Sequence, residues 1–202
     1  MKQIVLIHGG DSFATYDDYL SFLRGFEVKS VDYFKRKADW KTTLQDAVGS
    51  GYEILLPQMP NKWNARYAEW KIWFEKLIPF LDDGVVMVGH SLGASFLVRY
   101  LAENRFPKRI AATCLISGVY GHGSGTEGMT EEFAAPSSLA LLAEQGGTIF
   151  LYHSTDDPIV SVSELAKYQA DLPDAITRVF NDRGHFFGQD TFPELIADIK
   201  SL

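Results

Sequence analysis

Cysteine is almost missing from this chain of 202 residues: there is one, Cys114. A lone thiol closes no intramolecular disulfide, so the core alone must hold the fold, and a reducing compartment suits it. Its apolar setting, "AATCLIS", marks a buried structural thiol rather than a reactive one. Basic charge is short as well. Lys and Arg number 19 against 26 Asp and Glu, a net charge of −7, which argues against a nucleic-acid groove and against an anionic membrane surface. Long hydrophobic runs are missing too. The first, at 4–7, has four residues, where a secretory leader needs roughly 7–15 and a membrane span about 20. A cytoplasmic protein is therefore expected. The five histidines show no metal-ligand spacing such as H-E-x-x-H, so neither metal nor cofactor is expected. Nothing in the sequence speaks to oligomeric state.

What is present is an ordinary globular composition, 46% hydrophobic and 22% charged, which excludes disorder. The length fits one domain. Short β-rich runs occur at 3–8, 52–57, 85–89, 110–117, 148–154 and 175–180, and stretches of helical period lie between them. The clearest helix is predicted over 64–81, where Tyr67, Trp70, Phe74, Leu77, Ile78 and Leu81 share one stripe and read as core. Thr15 and Asp18 form a variant capping box for an earlier helix. Strand and helix in alternation imply an α/β fold: a mostly parallel six-stranded sheet with right-handed crossovers and helices on both faces. Two stretches look like excursions at the rim, 25–50 and the glycine-rich 118–136.

The chemistry centres on "VVMVGHSLGASFLVRYLAEN" at 85–104. Gly-x-Ser-x-Gly between a strand and a helix forces Ser91 into a strained turn with its hydroxyl above the sheet. The five residues alone carry little weight; their strand-before, helix-after context carries much more. A serine nucleophile needs a base and an acid that orients it. Strand 148–154 runs into "TDDPIVS", offering Asp156 and Asp157, and strand 175–180 runs into "NDRGHFF", offering His185. Ser, then Asp, then His is the chain order of the α/β-hydrolases. Successive side chains of an extended loop face opposite ways, so only one of the two aspartates can meet His185. Asp182 shares the loop of His185 and is a poorer orienter.

His8 and His90 flank the proposed turns and read as loop supports, while His153 and His122 are weak base candidates. The oxyanion is expected to meet the N–H of Leu92 and, from the "IHGGDS" turn, that of Gly10. Asp11 would oppose an oxyanion and is expected to turn away and cap the next segment. Trp63 and Tyr120 are candidates for the acyl pocket. Residues 123–128 match G-x-G-x-x-G but follow no strand directly and open no helix, so they read as loop rather than as a dinucleotide site.

Together "LIHGG", "LLPQMPN", "VGHSLGASFLVRYL", "LISG", "HSTDDPIVS" and "GHFF" resemble the small single-domain serine hydrolases related to YdeN and the retinoblastoma-binding-protein hydrolase. The resemblance spans most of the chain and implies Ser91 as nucleophile, Asp157 as acid and His185 as base. It also implies sheet order 2-1-3-4-5-6 and no large cap. The chain departs from that pattern at 11–50, which looks longer than one helix, and at 118–128. The function expected is hydrolysis of a small carboxylic ester or other acyl substrate. The alternatives are a non-catalytic interaction protein on the same fold and an acyltransferase using the same three residues.

Overall fold

The structure, a computed structural model, describes residues 1–35, 39–121 and 130–202. Six strands form one parallel sheet: β1 (Lys2–Ile7), β2 (Tyr52–Leu55), β3 (Val85–His90), β4 (Ile110–Ile116), β5 (Thr148–Ser154) and β6 (Ile176–Phe180). Their order is β2-β1-β3-β4-β5-β6, as the resemblance implies. All five pairings are parallel, so every strand must be reached by a crossover. The helices supply them: α1 (Tyr16–Gly25), α2 (Trp40–Val48), α3 (Tyr67–Leu77), α4 (Leu92–Glu103), α5 (Ala140–Gln145) and α6 (Ser163–Asp171), while α7 (Pro193–Lys200) follows β6 and packs back on the sheet.

The two-residue period of a strand divides the core. Val5, Ile7, Val85, Met87, Leu115 and Leu151 face the layer of α3 to α6, where Trp70, Phe74 and Phe96 are fully buried. Ile4, Leu6, Val86, Val88, Cys114 and Phe150 face the layer of α2 and α7. The central strands are therefore apolar throughout, because both faces are covered. The aromatic stripe predicted over 64–81 does pack as core, and its last buried residues, Ile78 and Leu81, belong to a short 3-10 turn and its end. Cys114 is fully buried, and burial pushes its thiol up to about 12.

The stretch 25–50 does not lie wholly at the rim. Its second half is α2, which buries Trp40, Leu44 and Val48 against the sheet and makes the crossover from β1 to β2. Its first half, through residue 35, stays exposed. The helix with no buried residue is α1, just upstream, although Thr15 and Asp18 cap it as expected. Of the glycine-rich segment, residues 122–129 lie outside the described residues, and with them His122 and the 123–128 match. No described helix is long and apolar enough to cross a membrane.

Strand β1, strand β3 and helix α4 converge behind Ser91. A Cβ added to Gly93 would sit 2.3 Å from the Ile7 carbonyl oxygen and 2.6 Å from that of His8. Both are main-chain atoms of the sheet and cannot yield. Gly93→Ala is expected to destabilise by at least about 2 kcal/mol, the scale of an overpacked core, as read by urea unfolding. Wild-type stability in that variant would contradict the close approach.

Candidate active site

Ser91 joins β3 to α4 at φ 55° and ψ −124°, a conformation that costs a residue with a Cβ roughly 1–3 kcal/mol. Its neighbours hold it there. The Ser91 N–H donates to Ile116 O at 2.8 Å, and its carbonyl accepts from Ala94 and Ser95 at the helix start. A Cβ on Gly9 would stand 3.0 Å from the Ser91 Cβ, so the end of β1 can approach the serine only as glycine. The Ser91 hydroxyl makes no hydrogen bond to a described residue and opens on a cavity of ≈ 380 Å³ that His185 also lines.

The loops after β5 and β6 meet across that cavity. The His185 Nδ1–H donates to Asp157 Oδ2 at 2.8 Å, with Oδ1 at 3.1 Å. The Asp157 carboxylate, whose side chain is fully buried, also accepts the N–H groups of Ile159 and Val160 at 2.9 Å each. Burial alone would raise its pKa. The hydrogen bond and charge of His185 and the two N–H donors outweigh that and hold it below the usual carboxylate range. Asp156 points elsewhere: Oδ1 accepts from the Ser154 hydroxyl and from Gly184 N–H. Asp182 is exposed and pairs with Arg183. Of the three aspartates, only Asp157 touches His185.

The loop carrying His185 is pinned by two buried ring donors. The Trp40 indole N–H donates to Phe186 O at 3.0 Å, and His90 Nε2–H donates to His185 O at 2.9 Å. Phe186 has φ 55° and is fully buried, so the two adjacent carbonyls accept from donors rooted in α2 and β3. His8 ties the first turn to the 57–61 loop, donating through Nδ1 to Gly9 O and accepting Met59 N–H at Nε2. His153 Nε2–H donates to Val160 O on the loop of Asp157.

The other expected residues divide. Gly10 lines the cavity, its N–H donating to no described residue, and Leu92 opens α4, where an N–H has no partner within the helix. Asp11 neither turns away nor caps: Thr15 is the cap, and Asp11 lines the cavity with no side-chain hydrogen bond to a described residue. Burial raises its pKa, against the opposing pull of His185. Trp63 lines the cavity and Tyr120 does not; the Tyr120 hydroxyl pairs with Asp171 and its ring packs on Tyr168. Sequence reasoning missed Ile159, Phe187, Lys41 and Lys62, which complete the walls. Ile159 and Phe187 lie on the same loops as Asp157 and His185, two residues further on.

Burial keeps His8, His90 and His153 neutral, with pKa values below that of a free imidazole. Unfolded, each would take a proton near pH 6.5. Below that pH the unfolded chain binds more protons than the folded one, so stability present above it is lost on acidification. Asp157 acts the same way at lower pH, its contribution disappearing as it is protonated. The unfolding free energy is expected to fall between pH 7.5 and pH 5, by up to about 1.4 kcal/mol per pH unit for each imidazole, and the urea midpoint with it. A midpoint constant across that range would contradict the neutral assignment.

Comparison with known proteins follows this geometry. A family model described as "Serine hydrolase" matches residues 34–199. Serine hydrolase RBBP9 of Rattus norvegicus is 30% identical over 152 residues, covering 75% of this chain and 78% of that protein. YdeN of Bacillus subtilis (strain 168) is 26% identical over 195 residues, covering 96% and 90%. The crystal structure of the B. subtilis ydeN product superposes with a TM-score of 0.74 at 22% identity, covering 100% of this chain and 98% of that one. A meta-cleavage product hydrolase from Pseudomonas fluorescens IP01 shares the fold at a TM-score of 0.66 and 12% identity, covering 100% and 90%.

Proposed function

The chain belongs to the serine hydrolase family, and from that premise we propose that it cleaves a small carboxylic ester through an acyl-enzyme on Ser91. One observation carries the reading: the buried Asp157–His185 pair opens on the same cavity as the strained Ser91. In this mechanism the Ser91 Oγ attacks the ester carbonyl carbon while His185 takes the hydroxyl proton. Charge develops on the carbonyl oxygen, which the N–H groups of Gly10 and Leu92 receive, each such donor being worth roughly 3–4 kcal/mol. Collapse breaks the bond to the alcohol oxygen, and the imidazolium returns its proton to that leaving group. Water then enters and attacks the acyl carbon as His185 takes its proton; the bond from that carbon to Ser91 Oγ breaks, and the imidazolium returns the proton to Oγ, freeing the acid. Asp157 orients the imidazole and stabilises its charged form throughout.

A fluorophosphonate probe tests the nucleophile. Ser91→Ala is expected to abolish labelling with the fold intact by circular dichroism. Undiminished labelling would place the nucleophile elsewhere and end the proposal.

The two adjacent aspartates predict opposite outcomes. Asp157→Asn keeps the shape but replaces the charge that orients and stabilises His185, so kcat on one ester is expected to drop by about 10⁴-fold. Asp156→Asn retains an oxygen for Ser154 and Gly184, so the loss is expected to stay under about tenfold, or 1.4 kcal/mol. If Asp156→Asn proved the crippled variant, the acid would be assigned to the wrong residue.

A further inference from the structure

Helix α1 poses a problem of purpose. It is well capped yet has no fully buried residue, so it adds nothing to the two cores of the sheet. Its rings nevertheless form a chain that leads to the catalytic cavity. Phe13 packs on Phe22 at 5.0 Å between centroids, and Phe22 meets the Trp63 indole at 6.4 Å. Phe26, at the end of α1, meets the same indole edge-on at 6.0 Å. Trp63 is 37% exposed and forms one wall of the cavity that Ser91 and His185 line. Two more exposed apolar side chains, Ile159 and Phe187, line the same cavity. The rest of its lining is polar or charged: Ser91, three histidine rings with that of His185 among them, the main chain of Gly9 and Gly10, two aspartates and two lysines.

Apolar side chains beside a few convergent polar groups are the arrangement of a small-ligand site. Exposed hydrophobic side chains scattered singly need no explanation, but several converging on one mouth do. We propose that Trp63, held from behind by Phe22 and Phe26, is the specificity-determining surface of this site and binds a flat apolar group, such as an aryl ring, carried by the ester. The continuity of the ring chain with the cavity wall names the occupant: the surface belongs to whatever Ser91 acts on. Two phenyl rings behind the indole fix its plane, and a fixed plane favours a stacked or edge-on aromatic partner. The Lys62 ammonium lies 5.9 Å from the indole centroid and has no carboxylate partner among the described residues, so it can swing into solvent when a group covers that face. The volume of ≈ 380 Å³ sits at the small end of ligand pockets, which suits one ring system beside a short second limb. The assignment deepens the Ser91 reading and rests on it.

The test compares 2-naphthyl acetate with methyl acetate for an aryl alcohol, and p-nitrophenyl phenylacetate with p-nitrophenyl acetate for an aryl acyl group. Within each pair the quantity is the ratio of kcat/KM, in which intrinsic ester reactivity cancels between variants. Trp63→Ala is expected to lower at least one of the two ratios by on the order of tenfold, chiefly through KM, the scale of losing one aromatic partner. Phe26→Ala is expected to lower the same ratio by a smaller factor, although it stands behind the wall. The pair that responds identifies the limb. A calorimetric titration of wild type and Trp63→Ala with 2-naphthol needs no turnover, and affinity is expected to fall in the variant. Ratios unchanged in Trp63→Ala, or equal losses on all four esters, would overturn the proposal. Naphthol binding that depends on Trp63 in a protein that turns over no ester would sink the hydrolytic reading and leave the subsite standing. Turnover with naphthol binding indifferent to Trp63 would do the reverse.

Discussion

The left-handed turn at Ser91 is the constraint on which the rest of the molecule depends. A residue with a Cβ holds φ 55° and ψ −124° only where its surroundings over-determine the backbone. Here the determination is threefold. β4 takes the serine N–H through Ile116, α4 takes the serine carbonyl into its first turn, and β1 closes from the side with its main chain against Gly93. Each of these elements must be in register before the strained turn is stable. The strand order follows the same logic, since β1 and β4 flank β3 in the sheet. The turn is thus a readout of a correctly built sheet centre, and its strain is offset by the cores on both faces.

The loops at the ends of the strands have no sheet to hold them, and the structure uses buried ring N–H donors instead. Trp40 and His90 each spend their donor on a main-chain carbonyl of the 183–189 loop. Such a bond inside a core is worth more in rigidity than in net stability, because breaking it leaves a buried carbonyl unsatisfied at a cost of roughly 1–3 kcal/mol. Asp156 completes the clamp from the opposite side through Gly184, and the Ser154 hydroxyl takes the N–H of Arg183. The ring of His185 thereby meets Asp157 because its main chain is fixed from both sides. α2, which supplies Trp40, positions the His185 loop as well as making a crossover.

The sheet was legible in the sequence because its central strands are buried on both faces and read as unbroken apolar runs. The serine turn and the His185 loop were legible because each directly follows such a strand. What escaped was everything set by packing between segments distant in sequence. Charged residues flank the apolar positions of α2, so the pattern "DWKTTLQDAV" looks like a rim segment; the fact that Trp40, Leu44 and Val48 lie on one face decides otherwise. Asp11 was expected to cap because Asp commonly does, but Thr15 takes that role with a reciprocal partner in Asp18, leaving Asp11 in the cavity. Tyr120 was a pocket candidate, and a carboxylate on α6 claims its hydroxyl instead. The exposed ring chain of α1 has no helical stripe that points to Trp63, since Trp63 arrives from another loop.

The division of labour among the histidines follows from what each ring faces. A buried imidazole can accept a proton at low cost only if a negative charge stands beside it, because a neutral carbonyl offsets little of the lost solvation. His8 faces Gly9 O and Met59 N–H, and His90 faces His185 O. Both rings meet neutral partners, and burial lowers both pKa values. His153 is the intermediate case: Asp157 Oδ2 lies 4.0 Å from its Nε2, but that nitrogen bonds Val160 O and burial prevails. His185 has the same carboxylate at 2.8 Å, in direct hydrogen-bond contact. Among the four described histidines, then, His185 is the one in direct hydrogen-bond contact with a carboxylate, and the other three serve as neutral struts. That carboxylate can remain charged while fully buried because two main-chain N–H groups and an imidazole surround it. The solvation of that buried charge is supplied by the protein itself.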